Sequence, residues 1–596
     1  MMQPTLDLGL IGNCSFAGLI DKRASLVWAC MPHFDDDPVF SALLGGENAE
    51  QGRFDIELVD QSGTIEQHYL RNTAILCTVL GDKHGNSLEI LDFAPRFEQY
   101  GRSFRPQMLI RHLRPLKGYP RIRIRVRPLF SYGSQRPVIT HGSHHIRYVG
   151  EAQALRLSTD APITSILDET AFFLEKEISL LFGADESVTR SVSDIGRHFF
   201  EDTKLYWEEW VRNLWVPYEW QDVVIRAAIT LKLNTFEDTG AVIAAVTTSI
   251  PESAHSGRNW DYRYCWLRDA AFVVAALNQV GTTQTMEGFI RYIINIAADS
   301  EEGYLQPVYR INSRGKLHES IVESLPGYRG MGPVRVGNEA YLQSQNDVYG
   351  SVVLAAGHMF LDRRLPKQGD EALFKRLEIL GEKATQVFDT PDAGLWEYRE
   401  RAEVHTFSSV MCWAACNTLA LIAHHLGLEE RRVYWQGHAD TMHRIIDERA
   451  WNAQRQSYVS AFGGKEMDAS LLLLSRLGFI AADDPRFAST VTAIEEELRD
   501  GDFLYRYIAP DDFGVPEVSF TVCTFWYIDA LAALGRDDEA RQLYEKLVAS
   551  RNHLGLLSED IVTENGELWG NFPQTYSMVG LINSARLLSR PWEEVF

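Results

Sequence analysis

Asn259-Trp260-Asp261-Tyr262-Arg263-Tyr264-Cys265-Trp266-Leu267-Arg268-Asp269 is the stretch from which the rest of the chain is read. Four aromatics fall between positions 260 and 266, and the run ends in adjacent opposite charges. It passes straight into Ala270-Ala271-Phe272-Val273-Val274-Ala275-Ala276-Leu277, which is apolar on every side and so reads as a buried helix. Flat rings closing on an Arg-Asp pair suit the wall of a pocket, where apolar faces meet a flat polar ligand and charges fix its hydroxyls. The same stretch also fits a buried ion pair that braces a loop.

Outward from here towards the C-terminus the pattern is helical. The spacing of apolar residues predicts twelve helices, near 221–237, 268–280, 285–298, 346–362, 370–389, 408–426, 428–449, 468–476, 486–500, 520–535, 536–550 and 576–588. Some links are minimal, as at Gly427 and Gly535; others are long and carry Gly, Pro and aromatics, at 239–266, 299–345, 390–407, 501–519 and 551–575. Helices joined tightly on one side and loosely on the other predict a closed ring of six hairpins, an (α/α)6 barrel, with its long loops gathered at one end around a pocket. A solenoid is the competing arrangement, but the sequence has no fixed repeat length.

Towards the N-terminus the period changes to two. Arg121-Ile122-Arg123-Ile124-Arg125-Val126-Arg127 alternates, and the runs 73–80 and 87–93 flank a Gly-Asp-Lys-His-Gly-Asn turn. Shorter runs at 53–59, 145–149, 153–158 and 171–176 complete an antiparallel β-sandwich. Ser187 to Leu214 reads as a connecting helix. The expected division is 1–185 sandwich, 186–219 linker and 220–596 barrel.

A length of 596 residues supports more than one core. The net charge of −23 argues against nucleic acid and anionic membrane as partners and is compatible with a neutral ligand. Seven cysteines without a CxxC pair exclude a zinc ribbon and fit a reducing cytoplasm. The start of the chain lacks the pattern of a signal peptide, and no stretch is expected to reach the apolar length of a membrane span.

Among the loops, Gly394-Leu395-Trp396-Glu397-Tyr398-Arg399 sets an acid between aromatics, where desolvation favours the protonated form that a proton donor needs; it also fits a surface Glu–Arg pair. Leu557-Ser558-Glu559-Asp560 offers a carboxylate able to polarise water, or a helix cap with its first-turn acid. The glycines of 327–338 would let backbone approach a ligand. Asp511-Asp512 hints at metal, but no His lies near to complete a ligand set. His405 and His553 are isolated and read as structural.

Taken in order, 259–269, 394–397 and 557–559 resemble glycoside hydrolase family 15, and the stretches Ile11–Cys14 and Leu26–Asp35 are similar to the trehalase-like N-terminal domain of its prokaryotic members. The resemblance spans nearly the whole chain. It implies a β-sandwich followed by an (α/α)6 barrel, and an inverting, exo-acting α-glucosidase that releases β-glucose and needs no metal or organic cofactor. It implies Glu397 as general acid and Glu559 as general base, with Arg268 and Asp269 gripping the sugar beside Tyr262 and Trp266. Arg335 and Trp396 follow as further binding residues. Members often continue with Glu or Gln where this chain has Asp560. The expected partner is a small α-glucoside, α,α-trehalose first, then maltooligosaccharides or isomaltose. An inverting sugar phosphorylase and a non-catalytic sugar-binding protein are the alternatives of other classes. Oligomeric state, homo-oligomer included, stays open.

Overall fold

The computed structural model describes residues 4–47, 49–61, 63–299 and 303–594. Its first part is a sandwich of two antiparallel sheets. One runs in the order Leu8–Gly12, Ala17–Asp21, Leu26–Cys30, Arg53–Leu58, Arg121–Arg127, Phe172–Phe173, with Pro38–Phe40 paired to Leu26–Cys30. The other runs Val138–His141, His145–Val149, Ala154–Thr159, Ile178–Ala184, Met108–Lys117, Ser87–Phe93, Leu76–Gly81, Ile65–Tyr69. Ile122, Ile124 and Val126 enter the core between the sheets with Ile90, Leu113 and Phe182. Arg123, Arg125 and Arg127 stay outside and pair with Glu57 and Glu169.

The strand expected at 171–176 is only Phe172–Phe173, and the sequence reading names no strand at Leu8–Gly12, Ala17–Asp21, Leu26–Cys30, Met108–Lys117 or Ile178–Ala184. Met108–Lys117 hides behind Arg111, which would ordinarily exclude a core position. Arg111 is wholly buried, paired with Asp92 at 2.7 Å and donating to the Phe54 carbonyl at 2.6 Å, so every charge on it is answered.

The outer face of the eight-stranded sheet is covered by the linker. Val192 and Ile195 of the Val192–Arg212 helix pack on Cys77, Leu91, Phe93, Ile110 and Leu181. Ser191 caps that helix by accepting from the Asp194 amide at 3.2 Å.

Twelve α-helices follow residue 220 among the described residues, and they alternate between an outer and an inner ring. The inner ring is Leu267–Gln279, Asp347–Leu361, Thr406–His425, the 3-10 turn Ala469–Leu472 running into Leu473–Arg476, Thr521–Ala533 and Thr575–Leu588. It closes because the last of these packs on the first. Sequence explains the alternation. Thr575–Leu588 buries twelve of its fourteen residues, whereas the outer Glu429–Ala450 buries five of twenty-two and is charged elsewhere.

Thr406–His425, at 20 residues, is long and apolar enough to cross a membrane by composition, which corrects the expectation that no stretch comes near that length. It is an inner-ring helix enclosed by protein, with fifteen of its residues buried.

All six outer-to-inner connections are long, and 451–468 joins the five anticipated from sequence. The inner-to-outer links are short, as at 280–282, 426–428 and 534–536. The long loops therefore share one end of the barrel. The sandwich docks behind two of them: Trp28 Nε1 donates to the Val246 carbonyl at 2.8 Å and Arg263 donates to the Asp36 carbonyl at 2.8 Å on the first, and Asp35 pairs with Arg310 at 2.9 Å on the second.

Candidate active site

The side chains of the opening motif leave on two sides, and Tyr264 joins the buried one, its Oη accepting from the Gly337 amide at 3.2 Å. Asn259, Asp261 and Arg263 are wholly buried and turn away from the loop end. Asn259 donates to the carbonyls of Met331 and Pro333 at 3.0 and 2.9 Å. Asp261 and Arg263 form a buried ion pair at 2.7 Å, which Tyr132 Oη of the sandwich joins at 3.1 Å. Trp260, Tyr262 and Trp266 face the other way and line a cleft. The density of aromatics closing on an Arg-Asp pair was the sequence signal for a pocket wall here. Helix Leu267–Gln279 starts immediately after and carries Arg268 and Asp269 in its first turn, on the cleft floor.

Glu397 enters from the 388–405 loop. Its Oε1 accepts from Trp266 Nε1 at 2.6 Å, Gln345 Nε2 at 3.2 Å and Arg268 Nη2 at 3.4 Å. Three donors on one oxygen leave Oε2 as the atom available to the cleft. The residue has φ +63°, a left-handed conformation that costs a non-glycine residue on the order of 1 kcal/mol and is tolerated where a side chain must be aimed. Beside it Trp396 is fixed by Asp468, which accepts from its Nε1 at 2.8 Å, and by the rings of Tyr507, Phe520 and Trp526. Burial pushes Asp468 up to about 6.

Glu559 lies one layer behind the cleft surface, 1% exposed. It is not the first-turn acid of a helix; it leads into the three-stranded ladder of Ser519–Phe520, Asp560–Ile561 and Leu568–Trp569. Tyr262 Oη donates to its Oε1 at 2.5 Å, and the Asn571 amide donates to Oε2 at 3.4 Å. Burial first, then the charge of Glu252, pushes Glu559 up to about 8, while the Tyr262 hydrogen bond and Arg506 pull the other way. Asp560 is buried with Oδ2 unpartnered, and burial first, then the charge of Glu559, raises its pKa well above its ordinary value.

Gly570 explains how this base is seated. A Cβ there would stand 2.6 Å from Glu559 Cβ and 2.8 Å from Glu559 Oε2, and the residue has φ +75°. Gly570→Ala is expected to displace the carboxylate by a fraction of an ångström to an ångström and to lower kcat on the order of 10²-fold. Steady-state kinetics together with near-UV circular dichroism checks this, since loss of the folded spectrum would reduce the effect to misfolding.

Tyr262 and Trp266 meet edge to face, with centroids 5.4 Å apart. One grips Glu559 and the other Glu397, so the two acids take their positions from a single aromatic pair. On the floor, Arg268 is ringed by Gln345 at 2.8 Å, Asp269 and Asp347 at 3.5 Å each, and Glu397. Asp269 Oδ2, beyond its 3.5 Å ion pair with Arg268, and Tyr576 Oη are buried without hydrogen-bond partners. Burial pushes Asp269 up to about 7, held back mainly by Arg268. Unanswered polar atoms cost roughly 1–3 kcal/mol each, a cost that ligand hydroxyls would relieve.

Of the residues anticipated from sequence, Tyr262, Trp266, Arg268, Asp269, Trp396 and Glu397 line the cleft, with Glu559 behind Tyr262. Arg335 does not line it. It stacks behind Trp260, 5.2 Å from the ring centroid, and faces Glu319 at 3.6 Å. The glycines of 327–338 approach protein rather than ligand: Gly337 packs against the His318 carbonyl and donates to Asp261 Oδ2 at 3.2 Å. Asp511 is an ion-pair partner of Arg258, and among the described residues no cluster of three His, Cys, Asp or Glu side chains could hold a metal ion. Sequence reasoning missed Glu252 and Arg506, which pair at 2.8 Å beside Glu559, Gln343 and Tyr576 on the cleft wall, and the buried Gln345 that holds Arg268 and Glu397. Nothing in their local sequence distinguishes them; they are brought to the cleft by ring closure.

With this geometry in view, likeness to known proteins is informative. Residues 220–586 match the model of glycosyl hydrolases family 15, and residues 3–166 match the trehalase-like N-terminal domain. The chain belongs to glycosyl hydrolases family 15 and is a glycoside hydrolase. It is 33% identical to a trehalase of Thermoplasma acidophilum over 97% of this chain and 98% of that one. It is 32% identical to a trehalase of Thermoplasma volcanium (97% and 92% covered) and 29% identical to one of Mycolicibacterium smegmatis (99% and 92% covered). Its fold is that of a bacterial glucoamylase solved with acarbose, at TM-score 0.70 and 14% identity, covering 99% of this chain and 95% of that one.

Proposed function

We propose that the cleft hydrolyses a small α-glucoside, α,α-trehalose first, by direct displacement with inversion. The observation that carries this reading is the pair of carboxylates set on opposite partners of the Tyr262–Trp266 couple. The trehalase names of full-length relatives support the choice of substrate. Glu397 gives a proton to the glycosidic oxygen, so the leaving glucose departs as a neutral alcohol. Glu559, held by Tyr262, takes a proton from a water that attacks the anomeric carbon from the opposite face; inversion needs roughly 6.5–9.5 Å between the two acids to admit that water. Arg268, Asp269 and Tyr576 hold the hydroxyls of the glucose being cleaved, and Trp396 supplies an apolar face. Arg335 acts through Trp260 and does not touch the sugar.

The seven unpaired, buried cysteines support a cytoplasmic setting. The last sandwich strand ends at Ala184 and the linker helix at Arg212, which supports the division 1–185, 186–219 and 220–596.

The test is glucose release from trehalose, maltose, isomaltose, maltotriose and soluble starch, with trehalose expected to lead. A pH profile checks the role of Glu559. Its pKa is raised first by burial and next by Glu252, while Arg506 opposes. A base must be deprotonated to work, so activity falls as pH drops through its pKa. Glu252→Gln removes the like charge and leaves Arg506 unopposed, so the acid limb of kcat/KM is expected to move to lower pH. Arg506→Gln is expected to move it to higher pH. Limbs that stay put in both variants would take Glu559 out of the base role.

A further inference from the structure

The mouth of the cleft is crossed by a strap made of Asp511, Asp512 and Phe513. Asp511 receives both terminal nitrogens of Arg258 at 2.6 and 2.5 Å and the hydroxyl of Tyr507 at 2.5 Å. The turn is closed by a bridge from Asp511 to Gly514, whose carbonyl accepts from Arg258 at 2.9 Å. Asp512 accepts from the Arg399 amide at 2.7 Å. Phe513 stands edge-on to Trp260, 5.1 Å between centroids. The Arg399 guanidinium covers the Trp260 ring at 4.6 Å and is held by Glu319 at 2.7 Å. Ser253 donates to Glu517 at 3.1 Å on the far side. Four of the six long loops are thereby tied together across the opening.

Depth in the cleft follows from burial. Arg268 and Asp269 are 6% and 7% exposed and form the floor. Trp260 and Phe513 are half-buried, while Asp512 and Arg399 are exposed at the rim. A glucose seated on the floor would have its bond to the next unit beside Glu397, and that next unit would meet Trp260, Phe513 and Arg399, which line the same cleft. An enzyme that works from the end of a long glucan needs the remaining chain to leave through the mouth, and the strap lies across that exit.

We propose that the Asp511–Phe513 strap, with Trp260 and Arg399, sets substrate length by ending the cleft after two glucose units. The proposal rests on the functional reading above, but it concerns binding and is tested without turnover. Isothermal titration of maltose and maltotriose measures length discrimination directly in the wild type, Phe513→Ala and Asp512→Ala. The wild type is expected to bind maltose more tightly than maltotriose. In both variants maltotriose is expected to gain roughly 10-fold or more relative to maltose, the scale on which pocket contacts discriminate. Asp512 is exposed, so its variant guards against a Phe513 variant that fails to fold. A wild type that binds the two sugars alike, or variants whose ratio does not move, would overturn the strap. Failure to turn over trehalose would instead overturn the functional reading and leave these binding ratios to decide the strap by themselves.

Discussion

Glu559→Gln is expected to lower kcat for trehalose about 10²- to 10⁴-fold while the sugar still binds, because the amide keeps the shape and the Tyr262 contact but cannot accept the proton of the attacking water. Glu397→Gln is expected to fall by a similar factor, for the opposite reason: no proton reaches the leaving oxygen. The two losses are separable. α-Glucosyl fluoride has a leaving group that departs without protonation, so Glu397→Gln should retain much of its turnover on the fluoride while Glu559→Gln loses it. Equal losses on both substrates in both variants would contradict the assignment of donor and base. The structure makes this a fair test, since Oε1 of Glu397 is already held by Trp266, Gln345 and Arg268, and an amide there keeps an acceptor for at least one of them.

The second large effect is expected on the floor. Arg268 is the cation among Asp269, Asp347 and Glu397, with both oxygens of Asp347 otherwise unpartnered. Arg268→Met leaves those carboxylates uncompensated, and removal of one partner from a buried charge cluster costs about 3–5 kcal/mol. The pH dependence has a definite sign. Asp269 has a folded pKa of about 7 against 3.8 as its ordinary value, so its ionisation opposes folding above pH 4 and does so fully above pH 7. Loss of Arg268 raises that folded pKa further. The fall in Tm relative to wild type is therefore expected to be larger at pH 8 than at pH 5, as thermal unfolding at the two values would measure. A deficit independent of pH would mean that Arg268 contributes packing and not charge balance.

Much of this was legible in the sequence because the signals were local. The inner helices betray themselves by apolar runs such as 270–277, and the ring by its tight links at Gly427 and Gly535. Glu397 stands between Trp396 and Tyr398, a local mark, whereas Glu559 stands between Ser558 and Asp560, and the roles expected of both came from the resemblance of the ordered motifs. Illegible features were those that arise only when distant segments meet. Arg111 looks like a strand breaker until Asp92 and two backbone carbonyls are brought to it. Asp511 looks like a metal ligand until Arg258, 253 positions away, takes both its oxygens. Glu252 and Arg506 carry no local mark, yet both tune Glu559. Arg335 was expected from the resemblance alone; the structure sets it behind Trp260, and the glycines near it serve the packing of one loop on another.

The stereochemistry of the first turnovers tests the account most directly. Proton donation by Glu397 and water activation by Glu559 from opposite faces convert one glucose of α,α-trehalose to the β-anomer, while the departing glucose keeps its α-configuration. Proton NMR recorded before mutarotation is predicted to show α- and β-glucose in equal amounts. Formation of α-glucose alone would mean retention through a covalent intermediate and would contradict it.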